Sequence, residues 1–135
     1  MAYNGFMPKS NYSVIIPKEL HPKPSNREMT AAYILIDFFN SDIKFVVRNN
    51  NKTPDFLIKG KYWELKSPTG NGKYNLQHAL RNAAKQSENI IIDARFSKIH
   101  INKMKNELNY QFKHSKNIKR LLLIDKQKNV VEISR

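Results

Sequence analysis

The run Ile90-Ile91-Ile92 constrains the fold more than any other segment of this sequence. Successive side chains of a β-strand point to opposite faces of a sheet, so three adjacent isoleucines make a strand that is apolar on both faces. Such a strand belongs in the centre of a sheet, with helices covering each side. The sequence therefore predicts a buried strand from Asn89 to Ala94 inside an α/β domain.

Three other segments have apolar residues at the spacings of three and four that are typical of a helix. The first begins at Ser25-Asn26-Arg27-Glu28, which has the pattern of a capping box, and ends near Asn40-Ser41. The second helix is predicted over residues 75–87 and the third over residues 97 to about 114. These helices are long enough to cover the faces of a small sheet.

Short β-rich segments alternate with these helices. The first three are joined by short turns and predict an antiparallel meander, and the last two predict a pair of strands at the end of the chain. The resulting order is helix, three strands, helix, strand, helix and two strands, which predicts an α/β fold with a mixed β-sheet flanked by helices. The strand segments besides 89–94 are 43–48, 55–59, 62–66, 121–124 and 130–133.

A chain of 135 residues with 40% hydrophobic content is enough for one core, so residues 25–135 are expected to form a single domain. Residues 1–24 hold four of the six prolines and are expected to form an extended arm or linker. The sequence has no cysteine, which excludes disulfide bonds and thiolate catalysis. The fold must therefore rest on packing.

The chain carries 24 Lys and Arg against 11 Asp and Glu, a formal charge of +13 that attracts polyanions. Nucleic acid is the expected partner, although a solvated lysine surface would have the same composition. No apolar run is long enough to cross a bilayer, and no lipidation motif is visible. We therefore expect no membrane partner and a site of action in the cytoplasm.

Two acidic residues and a lysine are predicted to converge at one end of a hairpin. Asp55 opens one predicted strand, and Glu64 and Lys66 lie two residues apart on the next, so that they share a face. Two carboxylates can hold a divalent ion, which activates water and stabilises charge on a phosphoryl group. Lys66 could act on the attacking water or neutralise charge on the phosphate, and the sequence leaves both roles open.

The pattern Pro54-Asp55, Glu64-Leu65-Lys66 resembles the motif of the PD-(D/E)XK nuclease superfamily. The resemblance implies a restriction-endonuclease-like core in the order α-β-β-β-α-β, here with an added helix and C-terminal strands. It also implies a divalent metal ion, with magnesium expected and manganese or zinc as alternatives. In that superfamily the first helix often adds an acidic ligand, which here would be Glu28; the competing role of Glu28 is in the capping box.

A second resemblance covers most of the chain beyond residue 24. It is carried by Trp63 to Pro68, Gly70 to Lys73, Gln86-Ser87, Ile90 to Asp93 and Ile118 to Leu122, which are similar to C-terminal nuclease domains of CdiA-type contact-dependent growth inhibition toxins. That resemblance implies a toxin domain that cleaves RNA, tRNA in particular, although related toxin domains cut DNA, with an immunity protein as partner. We expect a monomer that acts in the cytoplasm of a target cell.

Polar residues that follow the predicted strand with Glu64 and Lys66 are candidates for substrate contacts. Ordinary turn composition and a solvated helix face explain these residues equally well. Two other functions stay open: a DNA endonuclease of the resolvase or restriction type, and a basic nucleic-acid-binding module without catalysis. A dimer that cuts branched DNA would favour the first, and binding without turnover the second. The candidate substrate contacts are Ser67, Thr69, Lys73, Arg81 and Gln86.

Overall fold

A computed structural model describes residues 6–49, 52–72 and 74–135 and divides the chain into two compact units, Met1–Tyr62 and Trp63–Arg135. The order of elements from the first helix onward is the predicted one. Within the described residues the helices are α1 (Asn26–Phe39), α2 (Asn75–Ala84) and α3 (Ile101–His114). The strands of the same residues are β1 (Val14–Ile15), β2 (Ile43–Phe45), β3 (Phe56–Ile58), β4 (Lys61–Lys66), β5 (Asn89–Asp93), β6 (Arg120–Ile124) and β7 (Val130–Ile133).

In the first unit, β2 pairs in parallel with β1 and antiparallel with β3. The antiparallel pair places Phe45 opposite Phe56, and their buried rings meet edge to face with centroids 5.0 Å apart. Such ring pairs stabilise a fold beyond the area that they bury. The two strands thus pack their aromatic side chains together, and Asp55 lies immediately before the first residue of β3.

Helix α1 begins as the sequence predicts. The Ser25 side chain accepts a hydrogen bond from the backbone N–H of Glu28, and the Glu28 carboxylate accepts one from the backbone N–H of Ser25. The helix ends at Asn40, which has φ 52° and ψ 52° and donates its N–H to the carbonyl of Ile36. Asparagine tolerates this left-handed conformation better than most residues, which explains the position of the helix end.

The second unit has a mixed sheet. Strands β4, β5 and β6 are parallel and adjacent in that order, and β7 pairs antiparallel with β6. Every residue of β5 is buried, which confirms the prediction of a central strand. Helices α2 and α3 pack on one face of this sheet, where Leu80 and Leu108 share a core cluster with Ile90 and Leu121.

The structure differs from the sequence-based expectations in several places. Strand β2 ends at Phe45 rather than at residue 48, and α2 ends at Ala84 rather than at residue 87. Strand β1 forms within residues 1–24, because the two-residue strand pairs with β2 and because the carboxylate of Asp42 accepts the backbone N–H of Ser13. Helix α3 begins at Ile101 rather than at residue 97, since His100 caps it by accepting the N–H of Asn102. A short strand and an imidazole cap have no local periodicity, so the pattern did not indicate them.

Candidate active site

Strand β4 brings two of the predicted site residues into contact. Glu64 and Lys66 point to the same face, and the Lys66 Nζ lies 3.2 Å from the Glu64 Oε2. The register aligns them with Ile90 and Ile92, so their face is the one that α2 and α3 cover. The Glu64 side chain is only 4% exposed, whereas that of Lys66 is 30% exposed. A buried carboxylate therefore has an ammonium beside it that solvent and ligands can reach.

On the opposite face of β4, Trp63 packs in the core of the fold. Its side chain is fully buried, and the guanidinium of Arg120 lies over the indole ring at 5.1 Å from the ring centroid. This cation–π contact and the burial show that Trp63 packs within the core. Strand β4 thus has a buried aromatic side chain on one face and the Glu64–Lys66 pair on the other.

Arg48 joins two other acidic residues in the first unit. Its Nη2 lies 3.0 Å from the Glu28 Oε2 and 3.4 Å from the Asp55 Oδ1. Glu28 therefore makes the capping-box contact and an ion pair at the same time. No sequence pattern singled out Arg48, because it contacts residues 20 and 7 positions away that lie on other elements.

The predicted catalytic residues thus form two local groups. Asp55 lies with Arg48 and Glu28 in the first unit, and Glu64 lies with Lys66 in the second. That Asp55, Glu64 and Lys66 share one site remains a prediction. Among residues 6–49, 52–72 and 74–135, no group of three or more His, Cys, Asp or Glu side chains is placed to hold a metal ion.

The candidate substrate contacts lie on a loop and on α2. Ser67 and Thr69 are exposed in the loop that follows β4, and Lys73 lies outside the described residues. Arg81 is exposed in the last turn of α2, and Gln86 is half-buried just beyond that helix. The structure therefore leaves the hydroxyls and the guanidinium open to solvent and to ligands.

Asp93 has a structural role at the end of β5. Its carboxylate accepts hydrogen bonds from the backbone N–H, the Nε and the Nη2 of Arg95, at 3.1, 2.9 and 2.7 Å. Both side chains are buried, at 0% and 6% exposure, and the Arg95 guanidinium lies 5.0 Å from the ring centroid of Phe96. Arg95 therefore satisfies this carboxylate within the fold.

Comparison with known proteins identifies a family. Residues 52–130 match the family model described as the contact-dependent growth inhibition CdiA C-terminal domain. The match includes Asp55, Glu64 and Lys66, but it begins after Glu28.

A solved structure is similar over nearly the whole chain. It is a CdiA-CT/CdiI toxin and immunity complex from Burkholderia pseudomallei, with a TM-score of 0.60, 18% sequence identity, and coverage of 91% of this chain and 99% of that one. At this identity the likeness shows a shared fold. No curated protein matches the sequence significantly. None of the helices in the described residues is both long and apolar enough to cross a membrane.

Proposed function

This chain belongs to the CdiA C-terminal domain family of contact-dependent growth inhibition toxins, and from that premise we propose that it is a metal-dependent endonuclease that hydrolyses RNA, tRNA in particular. The observation that carries the proposal is the contact between the buried Glu64 and the accessible Lys66 on one face of β4. A carboxylate kept out of water is costly unless it has a cationic partner. An ammonium group in reach of solvent provides that partner and can also face a phosphate.

The metal that we propose is a divalent ion of the magnesium type. Mg²⁺ prefers oxygen ligands, retains several waters, and is commonly held by one or two carboxylates, which Asp55 and Glu64 supply in this proposal. Glu28 is a third candidate ligand, since its carboxylate lies with that of Asp55 around Arg48. When bound, such an ion activates water and polarises the phosphoryl group. Manganese and zinc remain alternatives to magnesium.

Other side chains of the protein then position the substrate and the positive charge of Lys66. Lys66 donates to the attacking water or to a phosphoryl oxygen, and Glu64 holds the ammonium in place at 3.2 Å. The exposed hydroxyls of Ser67 and Thr69 can donate hydrogen bonds to phosphate groups on either side of the scissile one. The reaction therefore needs a substrate with a continuous phosphodiester backbone, which the charge of +13 attracts.

The proposal extends to partners, fold subtype and place of action. The similar solved structure holds a toxin together with its immunity protein, which supports a cognate immunity protein for this chain as well. The element order α1, β2, β3, β4, α2 and β5 supports a PD-(D/E)XK core. We place the activity in the cytoplasm of a target cell and expect a monomer.

The decisive experiment incubates the purified chain with total tRNA and, separately, with plasmid DNA, with magnesium and with EDTA. Wild type is expected to cut tRNA only with the metal. The Glu64→Gln and Lys66→Ala substitutions are each expected to lower the rate by about 10²- to 10⁴-fold, the range for loss of a group that moves or positions a proton. Lys61→Ala removes an exposed charge from the same strand and is the matched control.

The outcomes separate the alternatives. A dimer that cuts plasmid or branched DNA but not tRNA identifies a DNA endonuclease. Tight tRNA binding without cleavage in magnesium, manganese or zinc identifies a binding module and contradicts the enzymatic proposal. Equal loss of activity in Lys61→Ala and Lys66→Ala would mean that general charge, rather than the Glu64–Lys66 contact, determines the rate.

A further inference from the structure

A concave site lies between the C-terminal ends of α2 and α3 in the second unit. Its volume is about 400 Å³, within the range of roughly 300–1,000 Å³ that is usual for pockets that bind small groups. We name it the basic cavity, and its lining is Gln77, Leu80, Arg81, Ala84, Lys85, Gln111, His114, Ser115, Lys116, Asn117 and Ile118.

The charge of the basic cavity is entirely positive. Arg81, Lys85 and Lys116 line it, and the lining includes no Asp or Glu. In the part of the chain that the structure describes, none of the ion pairs involves any of these three residues. Cations gathered around a concave surface repel one another, and the low-dielectric walls strengthen that repulsion. An anion bound in the cavity reduces the repulsion among these cations.

A purely structural explanation for the three cations is that they stabilise the negative C-terminal ends of the helix dipoles of α2 and α3. At α3, however, another residue has that role. The guanidinium of Arg135 donates hydrogen bonds to the carbonyls of Phe112, Ser115 and Ile118, and it lies 4.3 Å from the ring centroid of Phe112. Lys116 is therefore not needed to cap α3 and remains available to a ligand.

The orientation of the His114 ring is set by its contacts with Tyr110. Its Nδ1 donates to the carbonyl of Tyr110 at 2.8 Å, and its ring packs on the Tyr110 ring with centroids 4.3 Å apart. With Nδ1 engaged, the Nε2 is the nitrogen left for a ligand. The half-buried Ser115 and the exposed Asn117 add neutral donors to the same wall.

The basic cavity lies away from Lys66. Helix α2 ends shortly before β5 begins at Asn89, and α3 ends shortly before β6 begins at Arg120, so the cavity lies toward the amino ends of these strands. Lys66 is in register with Ile92, three residues further along β5, or about 10 Å at the usual rise of a strand. A phosphate in the cavity is therefore different from one beside Lys66.

We propose that the basic cavity binds a backbone phosphate of the RNA substrate, at a distance from the bond that is cut. This inference rests on the proposed function and assigns Arg81, Lys85 and Lys116 as a second anchor for the polyanion. Arginine donates a planar pair of hydrogen bonds that matches phosphate, and lysine adds point charge. The amides of Gln77 and Asn117 suit the sugar hydroxyl beside that phosphate. A concave site suits a projecting phosphate better than the surface of an acidic protein.

The test measures equilibrium binding of tRNA by fluorescence anisotropy in EDTA, so that it does not depend on cleavage. The triple variant Arg81→Gln, Lys85→Gln, Lys116→Gln is compared with Lys98→Gln, Lys103→Gln, Lys126→Gln, which removes three exposed charges that do not line the cavity. Loss of the one phosphate contact makes the slope of log K against log salt less steep by about 0.7 to 0.9, and lowers affinity at 0.1 M salt by on the order of 10-fold. The control triple variant is expected to change the slope by less than about 0.5. Equal melting temperatures confirm that all proteins are folded.

Several results would overturn the inference. One is an equal change of slope in both triple variants, and another is no change in either. Poly-glutamate serves as a probe for an acidic protein surface. If the cavity variant loses binding of poly-glutamate but keeps the full tRNA slope, the cavity belongs to a protein partner instead. If wild type cuts tRNA and any of these results is found, only the inference about the cavity is overturned. If wild type neither binds nor cuts tRNA, the proposed function is overturned as well.

Discussion

Two acid–base pairs of the second unit have the same spacing but different surroundings. Glu64–Lys66 and Asp93–Arg95 each place a cation two residues after a carboxylate, at 3.2 and 2.7 Å. Arg95 is buried with its partner, so no ligand can reach it without unfolding. Lys66 is 30% exposed and can face a substrate. Exposure of the cation, rather than the pattern of charges, distinguishes the pair suited to catalysis from the pair that stabilises the fold.

The buried pair leads to a stability prediction. Asp93→Ala leaves the Arg95 guanidinium buried without its carboxylate and is expected to lower the free energy of unfolding by about 3–5 kcal/mol. Glu132→Ala, which removes the partner of the half-exposed Arg120, is the control and should cost less than about 1 kcal/mol. Urea unfolding measures both. Asp93→Ala combined with Arg95→Leu should regain part of the loss, and equal costs for the two single variants would contradict the argument.

Glu28 allows a test that separates its capping role from a ligand role. Glu28→Gln retains an oxygen that can accept the Ser25 N–H, so the free energy of unfolding should change by less than about 1 kcal/mol. If Glu28 binds the metal, the magnesium concentration for half-maximal cleavage should rise at least about tenfold. Ser25→Ala is the matched control: it should destabilise the fold by about 1 kcal/mol and leave the magnesium requirement unchanged. An unchanged requirement in Glu28→Gln would restrict Glu28 to capping.

At the scale of elements, the segment before α1 is bound to it by one carboxylate. Asp37 of α1 accepts the backbone N–H groups of Lys9 and Ser10 and the Ser10 hydroxyl, at 3.0 to 3.1 Å. Leu20, between β1 and α1, is fully buried. Residues 9–20 therefore make specific contacts within the first unit, although their sequence resembles a linker.

This attachment is expected to depend on pH. Burial acts to raise the pKa of Asp37, but the hydrogen bonds from Lys9 and Ser10 outweigh it and lower the pKa below its ordinary value of 3.8. A lowered pKa in the folded state means that the ionised group contributes stability above pH 3.8, which is lost as the pH falls through the folded-state value. Asp37→Asn should therefore be less stable than wild type at pH 6, and the gap should narrow at pH 3. Urea unfolding at both values tests this, and a constant gap would contradict it.

At the scale of the whole molecule, the formal charge of +13 should dominate binding to RNA. Each phosphate neutralised by Lys or Arg releases counterions, so the affinity for tRNA is expected to fall by about 10³- to 10⁵-fold between 50 and 200 mM salt if 6–10 contacts form. Titration of labelled tRNA in EDTA over that range is the measurement. A complex insensitive to salt would contradict binding through the phosphate backbone.

The sequence by itself determined the helices and most of the strands, because those depend on neighbouring residues. The capping box at Ser25 and Glu28 located the start of α1, and the period of two placed Glu64 and Lys66 on one face. Only the tertiary structure decided the pairing of β1 with β2, the position of Arg48 between Glu28 and Asp55, and the basic cavity between α2 and α3. Each of these joins residues far apart in the chain, and local periodicity carries no information about which distant side chains meet.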